Sequence, residues 1–332
     1  IARATDYIEA DERAVDEMTA RGYTYETTDG VYFDTSKFDG YAEFARLDLA
    51  GLQAGARVGF NTEKRNVSDF AVWKFIQPGE HHAMRWEYLG RPGYPGWHLE
   101  CSTIIHETLG EPIDIHTGGM DHIPVHHTNE IAQTYAMTGK ELARYWLHCD
   151  FITVDGQKIS KSLGNTYTLE DLAERGFSAM DYKMWLLSGH YQGTRNFTFD
   201  SLLAAKNRRQ NWRARIAMCY QDKENRQNSD TEMHSSEILA AINNNLNSAE
   251  ACAIIDNTEL SLADWHKIDK LFGLKLIADT PDISEEQYAL IKERDDARVA
   301  KDYAKSDEIR DSLLAQGIAV KDTPDGGIWE YC

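Results

Sequence analysis

Cysteine and proline are scarce in this chain of 332 residues, which has five cysteines and seven prolines. The cysteines are scattered and odd in number, which argues against a disulfide framework and for a reducing environment. No apolar run is long enough to span a bilayer, and the first residues lack the pattern of a signal or transit peptide. We therefore expect a cytoplasmic protein of two or three domains with no membrane partner.

Positive charge is also in short supply, because 35 lysines and arginines stand against 54 aspartates and glutamates, a net charge of −19. Such a chain repels polyanions at long range, so binding to nucleic acid requires a locally basic surface. One candidate is the predicted helix KNRRQNWRARIAM, whose cations are Lys206, Arg208, Arg209, Arg213 and Arg215. Taken alone, a charge run of this kind is more often a solvated helix face.

The apolar periodicity predicts α/β structure first and helices afterwards. Helical spacing ends near Gly22, GVYFDTSKF alternates like a strand, and residues 56–100 are aromatic-rich and loop-like. TLGEPIDIHTGG predicts a helix end and a short buried strand, and HHTNEIAQTYAMTG predicts a helix that ends at Gly139. Asp155-Gly156 predicts a hairpin. After about residue 165 the pattern is helical, apart from a polar loop or linker at 223–237 and a β-like tail.

A metal site is suggested by Cys101, His126 and Glu130. Residues four apart on a helix share a face, so His126 and Glu130 can point at one ion. A thiolate, an imidazole and a carboxylate suit Zn²⁺, and three protein ligands leave a position open for substrate. The alternatives are a buried, inert Cys101 and a satisfied surface histidine. His122 and His127 are other possible ligands, although His127 is expected to point about 100° away from His126.

KISKS, residues Lys158–Ser162, is either a polar turn or a phosphate clamp, because its two lysines are three residues apart. These motifs, taken together, resemble those of cysteinyl-tRNA synthetase over nearly the whole chain. The matching segments are RATDYI, GYTYETTDGVYFD, KRNVSDFAVWK, GWHLECS, DIHTGGMDHIPVHHTNEIAQ, ARYWLHCDFITVDGQKISKSLGN and LIKERDDARVAKDYAKSDEIRDSLLAQGI.

The resemblance implies a class I aminoacyl-tRNA synthetase, with an α/β part followed by an all-α part. Residues 1–165 would form the later part of a doubly wound, Rossmann-like parallel sheet domain, with a connective segment inserted at about 25–95. Residues 166–222 would form a helical region that contacts the tRNA stem. Residues 223–332 would form a DALR-like helical bundle that binds the anticodon, with a small C-terminal element.

The resemblance also implies roles for individual residues. It assigns one Zn²⁺ per subunit to Cys101, His126 and Glu130, and it places Trp97 and His116 beside the substrate cysteine. Lys158 and Lys161 would neutralise the phosphates of ATP, and Gly118, Gly119 and Asp121 would lie against the adenylate. Contacts with tRNA are expected from Arg208, Arg209, Arg213 and Arg215.

One departure from the family concerns the His-x-Gly-His signature and a further zinc cysteine, both of which lie upstream in the family and do not occur in this sequence. We therefore expect that this chain begins inside the family's first nucleotide-binding half. We also expect it to bind zinc more weakly than a family member with all the zinc ligands, because one ligand is absent. NNNLNSAEA (243–251) resembles a helix start of the anticodon-binding region, and helix capping is its expected role.

The expected activity is the ATP-dependent formation of cysteinyl-adenylate and the transfer of cysteine to the 3′ end of tRNA(Cys), with Mg²⁺ accompanying ATP. Zinc would select the cysteine thiolate over the serine hydroxyl. The expected partners are tRNA(Cys), L-cysteine and ATP, and the expected state is a monomer. Two alternatives stay open: the cysteine ligase of mycothiol synthesis, and a non-catalytic fragment that binds tRNA.

Overall fold

The computed structural model describes residues 1–48, 61–221, 232–323 and 326–331, and its contacts divide the chain into two compact units, Ile1–Asp150 and Phe151–Cys332. The elements of the first unit are α1 (Ile8–Ala20), β1 (Thr24–Thr27), β2 (Gly30–Phe33), β3 (Phe70–Phe75), β4 (Trp86–Tyr88), β5 (Arg91–Pro95), α2 (Trp97–Thr108), β6 (Ile113–Gly119), α3 (Thr128–Thr138) and β7 (Ala143–Cys149).

The part of the first unit that carries the candidate site is a βαβ unit. β6 and β7 pair in parallel from Ile113–Ala143 to Gly119–Cys149, and α3 belongs to the connection between them. A parallel pair requires such a crossover, and ligands bind beyond the carboxyl ends of its strands. Gly119 and Cys149 therefore mark the edge of the sheet at which a ligand is expected.

The predicted connective segment contains the strands of an antiparallel sheet of order β1-β2-β3-β5-β4. The prediction that residues 56–100 are loop-like is wrong for the described residues from 61 onward, which include three strands and the start of α2. Fully buried Trp73 packs on Tyr88, so the aromatic residues are the core of this sheet. GVYFDTSKF is only half a strand, because the Asp34 carboxylate accepts a hydrogen bond from the Ser36 amide and begins a 3₁₀ turn.

The helices of the first unit bear out their sequence signals. α1 ends shortly before Gly22, and α3 ends at Gly139; both glycines have left-handed backbones that favour glycine. Buried Val15, Met18 and Leu99 pack with the strands in one apolar cluster. A π-helical turn over Ile123–His127 precedes α3.

The second unit is mainly helical in its described residues, as predicted. Its elements are β8 (Ile152–Val154), β9 (Gln157–Lys158), α4 (Leu169–Glu174), α5 (Ala179–Leu187), β10 (Arg195–Phe197), α6 (Phe199–Gln221), α7 (Glu232–Asn243), α8 (Ser248–Asn257), α9 (Leu262–Phe272), α10 (Glu285–Val299), α11 (Tyr303–Ala315), β11 (Ile318–Thr323) and β12 (Gly326–Tyr331). None of the helices described here has both the length and the apolar character needed to cross a bilayer.

Several local predictions for the second unit are confirmed. β8 and β9 form the hairpin around Asp155-Gly156, and β11 and β12 form the β-like tail. Asn247 caps α8 by accepting a hydrogen bond from the Glu250 amide, as its position in NNNLNSAEA predicts. The predicted loop at 223–237 is wrong from Glu232, where α7 begins, and its first part lies outside the described residues. The three-domain division stays a prediction.

Candidate metal and substrate site

Cys101 lies in α2, which begins directly after Pro95-Gly96 ends β5. Leu99 and Ile105 are buried and fix one face of this helix. Cys101 itself is half-buried. Because residues three apart share a face, His98 lies beside Cys101 on the helix. α2 therefore carries a thiol and an imidazole on one surface.

The predicted ligands converge. The Sγ of Cys101, a ring nitrogen of His126 and a carboxylate oxygen of Glu130 all lie within 4.8 Å of one another. The Nε2 atom of His126 is 3.7 Å from Oε1 of Glu130, four residues further along the chain. The π-helical turn ends at His127 and passes directly into α3, so both ligands enter from one continuous helical segment.

The two oxygens of the Glu130 carboxylate have different surroundings. Glu130 is completely buried. Its Oε1 has no hydrogen-bond partner among the residues that the structure describes, whereas Oε2 is 3.0 Å from Nε2 of His116. A buried carboxylate oxygen without a partner is strongly destabilising unless a cation or a donor satisfies it. The unsatisfied oxygen is the one that faces His126.

Burial keeps the thiol and the imidazole neutral. Burial raises the pKa of Cys101 to about 11, and the negative charges of Glu130, Glu100 and Asp11 add to this shift. Burial lowers the pKa of His126, although the nearby Glu130 carboxylate opposes that shift. A neutral imidazole is ready to ligate a metal, while the thiol must release its proton when a metal binds.

A second set of donor atoms shares Glu130. The ligand atoms of His116, His127 and Glu130 also lie within 4.8 Å of one another. His127, predicted to point about 100° away from His126, also approaches Glu130: its Nε2 is 3.8 Å from Oε2, because residues three apart share a helix face. The Nδ1 atom of His127 is 2.8 Å from Nε2 of His148, and burial lowers the pKa of His127 to about 3.

His98 has a contact that the sequence-based assignment missed. Its Nδ1 is 2.7 Å from Nδ1 of His126, and burial lowers its pKa to about 4. The signal was present in GWHLEC, because His98 precedes Cys101 by three residues on a predicted helix.

Trp97 and the two glycines stand beside the same cluster. The Trp97 ring is 4.7 Å from the His126 ring and is 61% exposed, so one aromatic surface is open to a ligand. A Cβ atom on Gly118 would lie 2.6 Å from the His127 ring, and one on Gly119 would collide with the Asp121 carboxylate. Gly118 therefore requires glycine because of the neighbouring histidine rings, whereas at Gly119 the Asp121 side chain can rotate away.

The KISKS loop belongs to the second unit. Asn165 ties its backbone, because its side-chain oxygen accepts from the Ser160 amide and its side-chain nitrogen donates to the Lys158 carbonyl. Lys158 and Lys161 are exposed, and neither forms an ion pair within the described part of the chain. The loop thus has a backbone held by hydrogen bonds and two lysine ammonium groups in solvent.

The basic residues of α6 contact their own unit. Arg208 pairs with Asp256 at 2.9 Å, and Arg215 donates to the Ile255 carbonyl. Buried Arg209 pairs with Asp181 and Asp279. Arg213 donates to Thr280, and Lys206 donates to Gly176. These cations hold helices together, and their contact with tRNA stays a prediction.

Comparison with known proteins gives two family matches. Residues 1–207 match the family described as tRNA synthetases class I (C) catalytic domain. Residues 280–329 match the cysteinyl-tRNA ligase anticodon binding domain. The fold is similar to that of Mycobacterium tuberculosis methionyl-tRNA synthetase in complex with methionyl-adenylate, with a TM-score of 0.51 at 15% identity, over 82% of this chain and 66% of that one. The expected class I fold, with a Rossmann-like sheet and a helical anticodon domain, is confirmed.

The curated relatives agree with these matches. "Cysteine--tRNA ligase 1" of Burkholderia lata is 41% identical over 98% of this chain and 70% of its own length. The cysteine–tRNA ligase of Treponema denticola is 35% identical over 99% of this chain and 75% of its own. These relatives support the cysteine–tRNA ligase assignment over the mycothiol enzyme. The chain belongs to the cysteine–tRNA ligase family, which consists of class I aminoacyl-tRNA synthetases.

Proposed function

We propose that this chain performs the cysteine-selecting and cysteine-activating chemistry of a cysteine–tRNA ligase. The substrates are L-cysteine, ATP with Mg²⁺, and tRNA(Cys), and the place of action is the cytoplasm. One observation supports this most directly: Cys101, His126 and the unsatisfied oxygen of Glu130 converge beside an exposed tryptophan.

The donor atoms fit Zn²⁺. A thiol, a neutral imidazole and a carboxylate are ligands that zinc accepts, and a cation at this place would satisfy the buried Oε1 of Glu130. Cys101, His126 and Glu130 would hold the ion. When bound, zinc lowers the pKa of a coordinated thiol and prefers sulfur to a hydroxyl oxygen. Trp97 and His116 would then border the cysteine side chain.

The remaining residues act by position and charge. Gly118 and Gly119 lie at the carboxyl end of β6, where the backbone can approach an adenylate closely. The exposed ammonium groups of Lys158 and Lys161 would neutralise phosphate oxygens as pyrophosphate leaves. This role requires free cations on a defined loop, which is what KISKS provides.

Three assays with the complete gene product test the proposal. We expect charging of tRNA(Cys) with cysteine, strong discrimination against serine, and no ligation of cysteine to an amino sugar. Ligation to an amino sugar without tRNA charging would instead support the mycothiol reaction. Binding of tRNA with neither activity would support the non-catalytic alternative.

Two variants assign the residues. Cys101→Ser should lose bound zinc, and zinc content equal to that of the wild type would contradict the ligand assignment. Lys161→Ala should reduce cysteine-dependent ATP–pyrophosphate exchange by about 10²-fold or more. Lys267→Ala, an exposed lysine on α9, is the matched control and should leave exchange unchanged.

A further inference from the structure

His98 has a polar partner, yet none of the steps proposed above uses it. Its Nδ1 atom is 2.7 Å from Nδ1 of His126, and the ring centroids are 4.9 Å apart. Two neutral imidazoles at this distance share one proton, so one nitrogen donates and the other accepts. The direction of that hydrogen bond decides which nitrogen of His126 has a free lone pair.

Only one direction is compatible with the ligand set. The Nε2 atom of His126 is the one near Oε1 of Glu130, at 3.7 Å. A ligating histidine uses the lone pair of one nitrogen and donates the N–H of the other to a neighbouring acceptor. If His98 donated instead, Nε2 of His126 would carry the proton and would have no lone pair to offer.

We propose that His98 is a positioning residue for the metal site: its Nδ1 accepts the Nδ1–H of His126, which fixes the tautomer that directs the Nε2 lone pair toward Cys101 and Glu130. This inference rests on the proposed zinc site and deepens it. His98 itself does not touch the ion or the substrate.

The surroundings of His98 hold its ring in the required orientation. The Phe70 ring lies edge-on to it, with centroids 6.0 Å apart and planes at 89°. Phe70 directly follows buried Asp69, whose carboxylate accepts hydrogen bonds from the amide and hydroxyl of Thr35 and from the Tyr25 hydroxyl. The KRNVSDF motif therefore has a structural role at the site, because it places the ring that packs against His98.

The first test measures the Zn²⁺ affinity of the purified protein by competition with a chelating dye. His98→Gln should weaken zinc binding by about 10–100-fold, because a glutamine amide reaches the position of Nε2 rather than Nδ1. His98→Asn puts an amide oxygen at the position of Nδ1 and should recover most of the affinity. His106→Gln is the control on the same helix, since exposed His106 contacts Glu111 and belongs to neither set of donor atoms around Glu130.

The second test needs no substitution. Nitrogen-15 NMR of the metal-free wild-type protein should show His126 as the Nδ1–H tautomer with a hydrogen bond to His98. An Nε2–H tautomer would overturn the inference, and so would equal zinc affinity in His98→Gln and the wild type. A wild-type protein that shows this tautomer and binds no zinc would contradict the proposed function and leave the hydrogen-bond assignment standing.

Discussion

At the level of single residues, burial shifts the pKa values of two predicted ligands, Cys101 and His126, in opposite directions. Burial raises the pKa of Cys101 to about 11 and lowers the pKa of His126, so burial favours the neutral form of both the thiol and the imidazole. Metal binding at this site must therefore release the thiol proton.

The affinity for zinc should consequently depend on pH. Between pH 7 and pH 9 the thiol is protonated in the free protein, so the dissociation constant for Zn²⁺ should fall about tenfold per pH unit. Titration with a competing chelator at several pH values measures this slope. A slope near zero would show that Cys101 does not ligate the ion, and Cys149→Ser, an exposed cysteine at the end of β7, should leave the slope unchanged.

The candidate ligands could be predicted from the sequence, whereas the contacts that other histidines make with these ligands could not. The four-residue spacing of His126 and Glu130 was sufficient to place them together. His127 also approaches Glu130, since residues three apart share a helix face as well. No local pattern indicates that His98 meets His126, because that contact depends on how α2 packs against the helical segment before α3.

At the level of elements, the contact between α1 and α2 contains a buried carboxyl. Thr103 of α2 donates a hydrogen bond to Asp11 of α1, and the other Asp11 oxygen has no hydrogen-bond partner in the described part of the chain. Burial raises the pKa of Asp11 to about 7, and the Thr103 hydrogen bond only partly opposes this. Asp11 is therefore protonated in the folded protein well above the pKa of 3.8 that is usual for this group.

Asp11 should make the folded protein less stable as pH rises. Between about pH 4 and pH 7 the unfolded chain ionises this group and the folded chain does not, so the free energy of unfolding falls with pH, at most about 1.4 kcal/mol per unit. Asp11→Asn should abolish this contribution and be more stable than the wild type at pH 8. Urea unfolding from pH 4 to pH 8 measures the difference, and Glu9→Gln, exposed on the same helix, should not change the profile.

Arg209 connects elements of the second unit through a buried ion pair. Its guanidinium contacts Asp181 of α5 and Asp279, and Asp181 is itself buried. Arg209→Met should reduce the free energy of unfolding by about 3 kcal/mol, because it leaves Asp181 buried without its cation. Chemical denaturation measures the loss. Arg310→Met, which removes an exposed pair on α11, should leave the midpoint unchanged, and equal effects of the two changes would contradict this role.

Helices were easier to predict than strands for a physical reason. Helix starts and ends are encoded locally, as by the Ser284–Gln287 capping box of α10 or the left-handed Gly139 after α3. The strands β3 to β5 depend on partners distant in sequence, and Gly93 and Pro95 interrupt their alternation. Their assignment requires knowledge of the sheet that they complete.

At the level of the whole molecule, net charge and the proposed tRNA partner oppose each other. The chain carries −19, and the arginines of α6 already have partners in their own unit. Any tRNA contact by these residues must therefore compete with internal pairs.

The salt dependence of tRNA(Cys) binding measures how many cations take part. We expect the affinity to fall at least tenfold between 50 and 200 mM salt, since contacts with phosphate release counterions. Arg208→Gln, at a half-exposed position, should reduce the slope of log K against log salt by about one. An unchanged slope would mean that Arg208 only pairs with Asp256, and Arg310→Gln provides the comparison.

The predicted order of domains comes from the family resemblance, whereas the two compact units are defined by which residues contact each other in the structure. The first unit ends at Asp150, earlier than the predicted boundary at residue 165. Residues of the KISKS segment pack with the second unit because β8 pairs in parallel with β10, some 40 residues later. Pairing over such a distance leaves no signal in the segment itself.

The group of imidazoles around Glu130 affects which metal ions the site can bind. Sites built of nitrogen and sulfur donors generally bind Cu²⁺ more tightly than Zn²⁺, and Ni²⁺ and Co²⁺ compete with Zn²⁺ for the same donors. Two overlapping donor sets offer such ions more than one way to bind. At the proposed metal site, the free concentrations that the cell maintains would therefore decide which ion binds. Cysteine selection by the proposed zinc ion would then depend on metal homeostasis as well as on side-chain geometry.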